Sequence, residues 1–206
     1  MAKEAKTKHN VHELIKKRWS ARSFSEKEIT QEELDTILEA AGLAFSSMNY
    51  QPWRYIYAFK KDSESFSKLA DCLSGGNKPW AKEASVLIMS LAKKKFDDGI
   101  PNTSALHDVG AANATLMLQA TSMNIYGHLM GGFDKEKATE LFNIDRAEYE
   151  PVVFIALGYL DKPEKLNEPF KTREVTPRIR KAISEFATEF KSETEEVLTR
   201  YALSGV

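Results

Sequence analysis

From Val109 to Phe133 the chain carries no Asp, Glu, Lys or Arg, although 29% of its residues are charged. The first part of this run, VGAANATLMLQATSM, is apolar or small on every face. That pattern predicts a helix, starting near Ser104, that is buried all round. The second part, NIYGHLMGGFD, holds three glycines, which interrupt a helix and predict a short strand followed by a glycine turn. A membrane span needs about 20 mainly apolar residues, whereas Asn113, Thr115, Gln119, Thr121, Ser122 and Asn124 interrupt this run. It reads as a core element. In the turn, Gly131 and Gly132 let the backbone approach a neighbour closely or take φ > 0, and Met130 offers a soft apolar surface.

The remaining periodicities fill in a succession of short elements. Val11, Leu14 and Ile15 mark a first helix running to about Lys17. Thr30 and Glu33 form a T-x-x-E capping box, and Leu34, Ile37, Leu38 and Ala41 follow at helical spacing up to Gly42. The segment LAFSSMNYQPW predicts a loop, and Arg54 to Phe59 alternates as a strand does. Ser63 is read as the cap of a helix carrying Phe66, Leu69, Ala70 and Leu73, closed by a GGNKP loop. Ala84 to Leu91 predicts a buried strand, KKKFDDGIPNTS an exposed connection, and Asp134 the cap of a helix with Ala138, Leu141 and Phe142. Pro151 to Gly158 is the most apolar strand. The charged stretch YLDKPEKLNEPFKTREVTPRIR contains three prolines and predicts a long loop, a kind of segment that is usually functional or disordered beyond about 12–15 residues. A polar helix is expected from Lys181 to Tyr201, with Ile183, Phe186, Phe190, Val197 and Leu198 as a thin apolar stripe.

At 206 residues, with neither a repeat nor a linker, the chain is expected to form one domain with a real core. Its 29 Lys and Arg against 30 Asp and Glu give a net charge of -1, so nothing points to nucleic acid or a membrane surface. The single cysteine, Cys72, allows no internal disulfide and fits a reducing cytoplasm. The polar start MAKEAKTKHN has no apolar signal core, which predicts a flexible tail over residues 1–10 and no export.

No GxSxG, HExxH, CxxC or P-loop sequence is present, and no GxGxxG follows a strand. His9, His12, His107 and His128 lack ligand spacing, so no metal site is expected. His12 and His107 are read as surface or satisfied groups; His128, in the glycine-rich stretch, either packs or faces a ligand. Three polar clusters remain. Arg18, Ser20 and Arg22 suit a phosphate, because guanidinium forks bind oxyanions bidentately; they equally suit a solvated helix end. Ser46, Ser47, Asn49 and Gln51, between Phe45 and Trp53, form either a hydrogen-bonding loop for a heterocycle or a wet surface loop. Arg178 and Arg180, late in the proline-rich segment, form the third cluster and are also compatible with ordinary surface charge.

Taken together, RWSARSF, AFSSMNYQPWRY, HDVGAANATLMLQATSMNIYGHLMGGFD, EPVVFIALGY and TPRIRKAISEF resemble, in this order and spacing, the nitroreductase family of FMN-dependent oxidoreductases. The resemblance covers residues 11–184. It implies an α+β fold with a central mixed sheet flanked by helices. It also implies an intertwined homodimer built on a long buried central helix, with FMN at the interface and residues 159–206 reaching over the partner. By the same resemblance, Arg18 and Ser20, with Trp19 between them, look like ribityl and phosphate contacts, and Arg22 like the positive group at the flavin pyrimidine edge. Ser46, Ser47 and Asn49 resemble contacts made from the other protomer, and Asn77 a pyrimidine-side asparagine. Gly131 and Gly132 match the turn whose N–H bonds flavin N5, with Met130 against the ring, and Arg178 and Arg180 the late basic pair at the phosphate. Two departures stand out: Phe45 replaces a usual proline, and Gly131 stands where some members carry glutamate. The implied activity takes hydride from NADH or NADPH and reduces an electron-poor small molecule, such as a nitroaromatic or quinone, in two half-reactions at one site. A flavin-binding storage or sensing module, a cofactor-free scaffold, and a relative with different flavin chemistry stay open on the residues alone.

Overall fold

The computed structural model describes residues 3–190, and the chain divides into two units, Met1–Thr176 and Pro177–Val206. In the first unit, α1 (Glu13–Lys17) is capped by His12, whose side chain accepts the Leu14 N–H. α2 (Gln31–Gly42) begins with the expected capping box, Thr30 and Glu33 each bonding the other's backbone N–H. β1 (Trp53–Phe59), α3 (Ser63–Asp71), α4 (Lys78–Ala81) and β2 (Val86–Lys93) follow. Next come α5 (Ala105–Ser122), β3 (Ile125–Met130), α6 (Lys135–Leu141), β4 (Tyr149–Tyr159) and α7 (Phe170–Val175).

The strands pair in the order β1-β2-β4-β3, all antiparallel. Among the described residues the expected mixed character comes down to one parallel bridge, from Ser20, outside the named strands, to Gly127 of β3. Both faces of the sheet are covered, which explains why β2 is buried on successive residues from Val86 to Ala92 rather than on alternate ones. Its period of two sends Val86 and Ile88 toward Leu34 and Ile37 of α2 and Leu116 and Ala120 of α5. Leu87 and Met89 face the other way, into a layer with Phe66 and Leu69 of α3, Trp80 of α4, and Trp19 and Phe24.

The same alternation along β3 sets up everything that follows. Ile125 faces the α2–α5 side, whereas Tyr126 and Met130 face the other layer. Gly127 returns to the α5 side, where a Cβ would stand 2.6 Å from Met117 Sδ and 2.7 Å from a Leu157 methyl. A side chain there would require the Met117 and Leu157 side chains to shift. In β4, Gly158 makes the equivalent room for the Phe24 ring, 2.6 Å from an added Cβ.

Several expectations need correction. Within the protomer α5 is not buried all round: Leu106, His107, Gly110 and Ala114 are exposed, while Val109, Ala112, Leu116 and Ala120 are covered. Asp62 rather than Ser63 caps α3. The Gly-Pro punctuation of GGNKP hides α4, in which Pro79 sits in the first turn, where a missing N–H has no consequence. The long charged stretch after β4 contains the 3-10 turn Pro163–Lys165 and α7. Of the helix expected from Lys181, the described residues show a 3-10 turn, Ile183–Glu185, and no helix from there to Phe190; residues 191–201 lie outside them. No helix among the described residues is long and apolar enough to cross a membrane.

Candidate functional site

After α1 the chain runs extended beside β3, tied by the Ser20–Gly127 bridge and, further on, by the antiparallel Phe24–Leu160 bridge. Extended backbone alternates its side chains. Trp19, Ala21 and Ser23 are therefore buried, and Arg18, Ser20 and Arg22 are only partly covered. Trp19 is 5% exposed, and its ring packs in the core against Tyr126 at 6.4 Å.

Arg22 is held from two sides. Its guanidinium lies 5.7 Å from the centre of the Trp80 ring and 4.0 Å from a carboxylate oxygen of Glu174 on α7. Trp80 is itself fixed by an indole N–H donated to Gly76 O at 3.1 Å, and its other neighbour is the His128 ring at 4.6 Å. His128 Nδ1 meets Ala21 O at 3.1 Å, which closes a frame of Arg22, Trp80, His128 and Ala21. Burial lowers the Arg22 pKa, an effect that Glu174 opposes. Burial, reinforced by the positive charge of Arg22, pushes His128 down to about 4, so His128 is a neutral packing group at neutral pH. Beside Arg22 opens a cleft of about 300 Å³ with Trp80 and Phe170 as apolar walls and Lys82 and Lys165 among its cations.

The glycine turn joins this group through Asn77. The Asn77 amide donates to Gly132 O at 3.0 Å, and the Ser74 N–H donates to the same carbonyl at 3.1 Å. A Cβ on Gly132 would stand 2.9 Å from Ser74 Oγ and 3.1 Å from Asn77 Nδ2. Close approach is therefore what this glycine provides; the left-handed backbone also considered is not adopted, since Gly99 is the only glycine with positive φ among the described residues. Gly131 is exposed, with nothing within 4 Å of an added Cβ. Met130 is 2% exposed: it supports the turn from the core and does not present the open apolar surface expected of it.

The Ser46–Gln51 loop is built elsewhere, on the start of α5. The Ser47 N–H donates to Asp108 Oδ2 at 3.0 Å, and Asp108 is 2% exposed. Ser46 Oγ accepts the Gln51 N–H at 3.0 Å, and Asn49 accepts from the Gln51 amide at 3.2 Å. Met48, Asn49 and Gln51 have φ of 53°, 53° and 55°, a left-handed conformation that is uncommon outside glycine and clusters at functional segments. The loop carries Phe45, 70% exposed, and Met48, 85% exposed. Arg178 and Arg180 lie in the second unit, where the Arg180 guanidinium donates to Ile179 O at 2.8 Å. Sequence reasoning missed Glu174 and Trp80. Glu174 lies in a run of mixed charge, and Trp80 follows a proline, so neither carries a local signal. Among the described residues no group of His, Cys, Asp or Glu is arranged to hold a metal.

The architecture agrees with what the chain is similar to. Residues 15–159 match the model of the Nitroreductase family, and the chain belongs to that family. A Streptococcus pyogenes relative with the provisional name NAD(P)H nitroreductase is 28% identical over 187 residues, covering 74% of this chain and 91% of its own. The major NAD(P)H-flavin oxidoreductase of Aliivibrio fischeri is 25% identical over 221 residues, covering 86% and 97%. A crystal structure described as an oxidoreductase containing FMN superposes with a TM-score of 0.85 at 34% identity, covering 91% of this chain and 95% of that one.

The depressed His128 pKa carries a consequence for stability. Between the ordinary value of 6.5 and about 4, the unfolded chain holds a proton that the folded chain does not. Stability contributed by the neutral ring is thus present above 6.5 and is lost as pH falls toward 4. The wild type is expected to lose about 2 kcal/mol more than His128→Asn across that window, at about 1.4 kcal/mol per unit less a discount for residual solvent. Chemical denaturation at a series of pH values measures it; parallel curves for the two proteins would contradict the assignment.

Proposed function

We propose that this chain is an NAD(P)H-dependent oxidoreductase that holds FMN against the surface formed by residues 18–22, Asn77 and the Gly131–Gly132 turn. The observation that carries the reading is the chain of contacts in which Arg22 meets Trp80 of α4 and Asn77, at the start of α4, bonds the Gly132 carbonyl. The donor set fits the cofactor. Two guanidiniums and a hydroxyl on one extended segment suit a phosphate and a polyol. Asn77 has its amide nitrogen committed to Gly132 O, which leaves its oxygen as the acceptor for a ring N–H.

When bound, FMN supplies the redox chemistry, accepting a hydride equivalent from NAD(P)H and passing it to a second molecule. The chain's own residues bind and orient. Arg18 and Ser20 hold the phosphate and ribityl chain, and Arg22 places a positive charge at the pyrimidine edge, where negative charge develops on reduction. The open Gly131 and the crowded Gly132 bring backbone N–H groups to the ring. No side chain has to move a proton, in keeping with a neutral His128 buried behind the site. The acceptor is an electron-poor small molecule such as a nitroaromatic or quinone, taken in a ping-pong sequence, and the single buried Cys72 suits a cytoplasmic enzyme.

The partner is a second copy. Leu43, Phe45, Met48 and Leu106 are 82%, 70%, 85% and 57% exposed, and on α5 Leu106, Gly110 and Ala114 follow one another four residues apart on an uncovered stripe. Burying large apolar side chains contributes roughly 1.5–3 kcal/mol each, and the small Gly110 and Ala114 admit close approach of a second helix. Such a dimer would bring the Ser46, Ser47 and Asn49 loop of one protomer to the cofactor of the other.

Arg18→Ala is expected to weaken FMN binding by roughly 1.5–3 kcal/mol, the range of charge-assisted hydrogen bonds, in a fluorescence-quenching titration; wild-type affinity would remove the phosphate assignment. Leu106→Asp is expected to sediment as a folded monomer with impaired FMN retention. A mutant that remains dimeric and fully loaded would show that this stripe is not the interface.

A further inference from the structure

One buried charge in the first unit has no place among the cofactor contacts above. Glu174 is 3% exposed, and a buried carboxylate is destabilising unless its charge and lone pairs are matched. Here they are matched by the segment that carries the arginines. The Arg22 N–H reaches both Glu174 oxygens at 3.1 Å, the Ser23 N–H reaches one of them at 3.1 Å, and an Arg22 guanidinium nitrogen lies 4.0 Å away. The strap leading to α7 binds the same segment a second time: Ser23 Oγ donates to Lys162 O at 2.7 Å, and the Asp161 N–H donates to Ser23 O at 3.0 Å. Opposite Glu174, the Trp80 face limits where the guanidinium can go. Residues separated by about 150 positions in the chain thus define the backbone and the side chain of Arg22 together.

We propose that Glu174 is a positioning residue for Arg22, and that α7 thereby sets both the location and the net positive charge that this segment presents to the cofactor. A carboxylate at this distance offsets much of the field of its cation, so the pair is a tempered positive group rather than a full one. The proposal rests on the FMN reading for its effect on the cofactor, and on geometry alone for the anchoring.

Two variants separate charge from anchoring. In Glu174→Gln an amide oxygen still accepts the Arg22 and Ser23 N–H groups while the negative charge is gone. FMN affinity is then expected to stay within about threefold of wild type, and the midpoint potential of bound flavin to move positive, because the unpaired Arg22 better stabilises reduced flavin. In Glu174→Ala both functions are lost, and the FMN dissociation constant is expected to rise at least about tenfold. A wild-type potential in Glu174→Gln, or wild-type FMN affinity in Glu174→Ala, would overturn the proposal. Amide exchange at Arg22 and Ser23 in the ligand-free protein provides a readout independent of flavin: protection is expected in wild type and Glu174→Gln and fast exchange in Glu174→Ala. Equal protection in all three would overturn the anchoring, whereas failure of the wild type to take up FMN would count against the flavin reading and leave this measurement decisive.

Discussion

Residues 18–24 lie extended against β3, and the rest of the site depends on that contact. The bridge from Ser20 to Gly127 fixes the register, and alternation then decides every side chain at once. Trp19 and Ala21 complete the core, while Arg18, Ser20 and Arg22 are left at the surface. On its other face β3 is seated closely on α5, where the Met117 and Leu157 side chains occupy the space that a side chain at position 127 would need. A shift by one residue in this segment would bury the two guanidiniums and expose the indole, which a low-dielectric interior does not tolerate without partners. Core packing and ligand chemistry are thus two consequences of one register.

Around that register the polar groups are fixed rather than free. Arg22 lies between a buried carboxylate and an indole face, His128 is kept neutral behind it, and Asn77 and Ser74 share the Gly132 carbonyl. Preorganised charge of this kind interacts strongly with a ligand because little reorganisation accompanies binding. The Ser46–Gln51 loop is tied in another way: Asp108 and Ser46 accept its backbone N–H groups, three of its residues are left-handed, and Met48 stands exposed.

Most of the secondary structure was legible because its signals are local. The Thr30 capping box, the uncharged run that becomes α5 and β3, and the apolar β4 all appear where periodicity places them. What the sequence concealed is tertiary. Trp19 lies within a motif that resembles a cofactor segment, and only the alternation of an extended strand assigns its ring to the core. Met130 sits beside an open glycine yet points inward for the same reason. Glu174 and Trp80 cannot be found from pattern, since their partner Arg22 lies 152 residues from the first and in a different element from the second. The residues themselves singled out Arg18, Ser20, Arg22 and the glycine turn, and the resemblance added Asn77; the fold links Arg22 to Trp80 and Asn77 to the turn, and adds the groups that hold them.

The most direct test of the account is an absorption spectrum of the purified, FMN-reconstituted protein under nitrogen, before and after NADH or NADPH is added. The account predicts flavin bands that bleach on addition of at least one of the two nucleotides and return when an electron-poor acceptor such as a quinone follows. Flavin bands that neither nucleotide changes, or a protein that takes up no FMN, would contradict it.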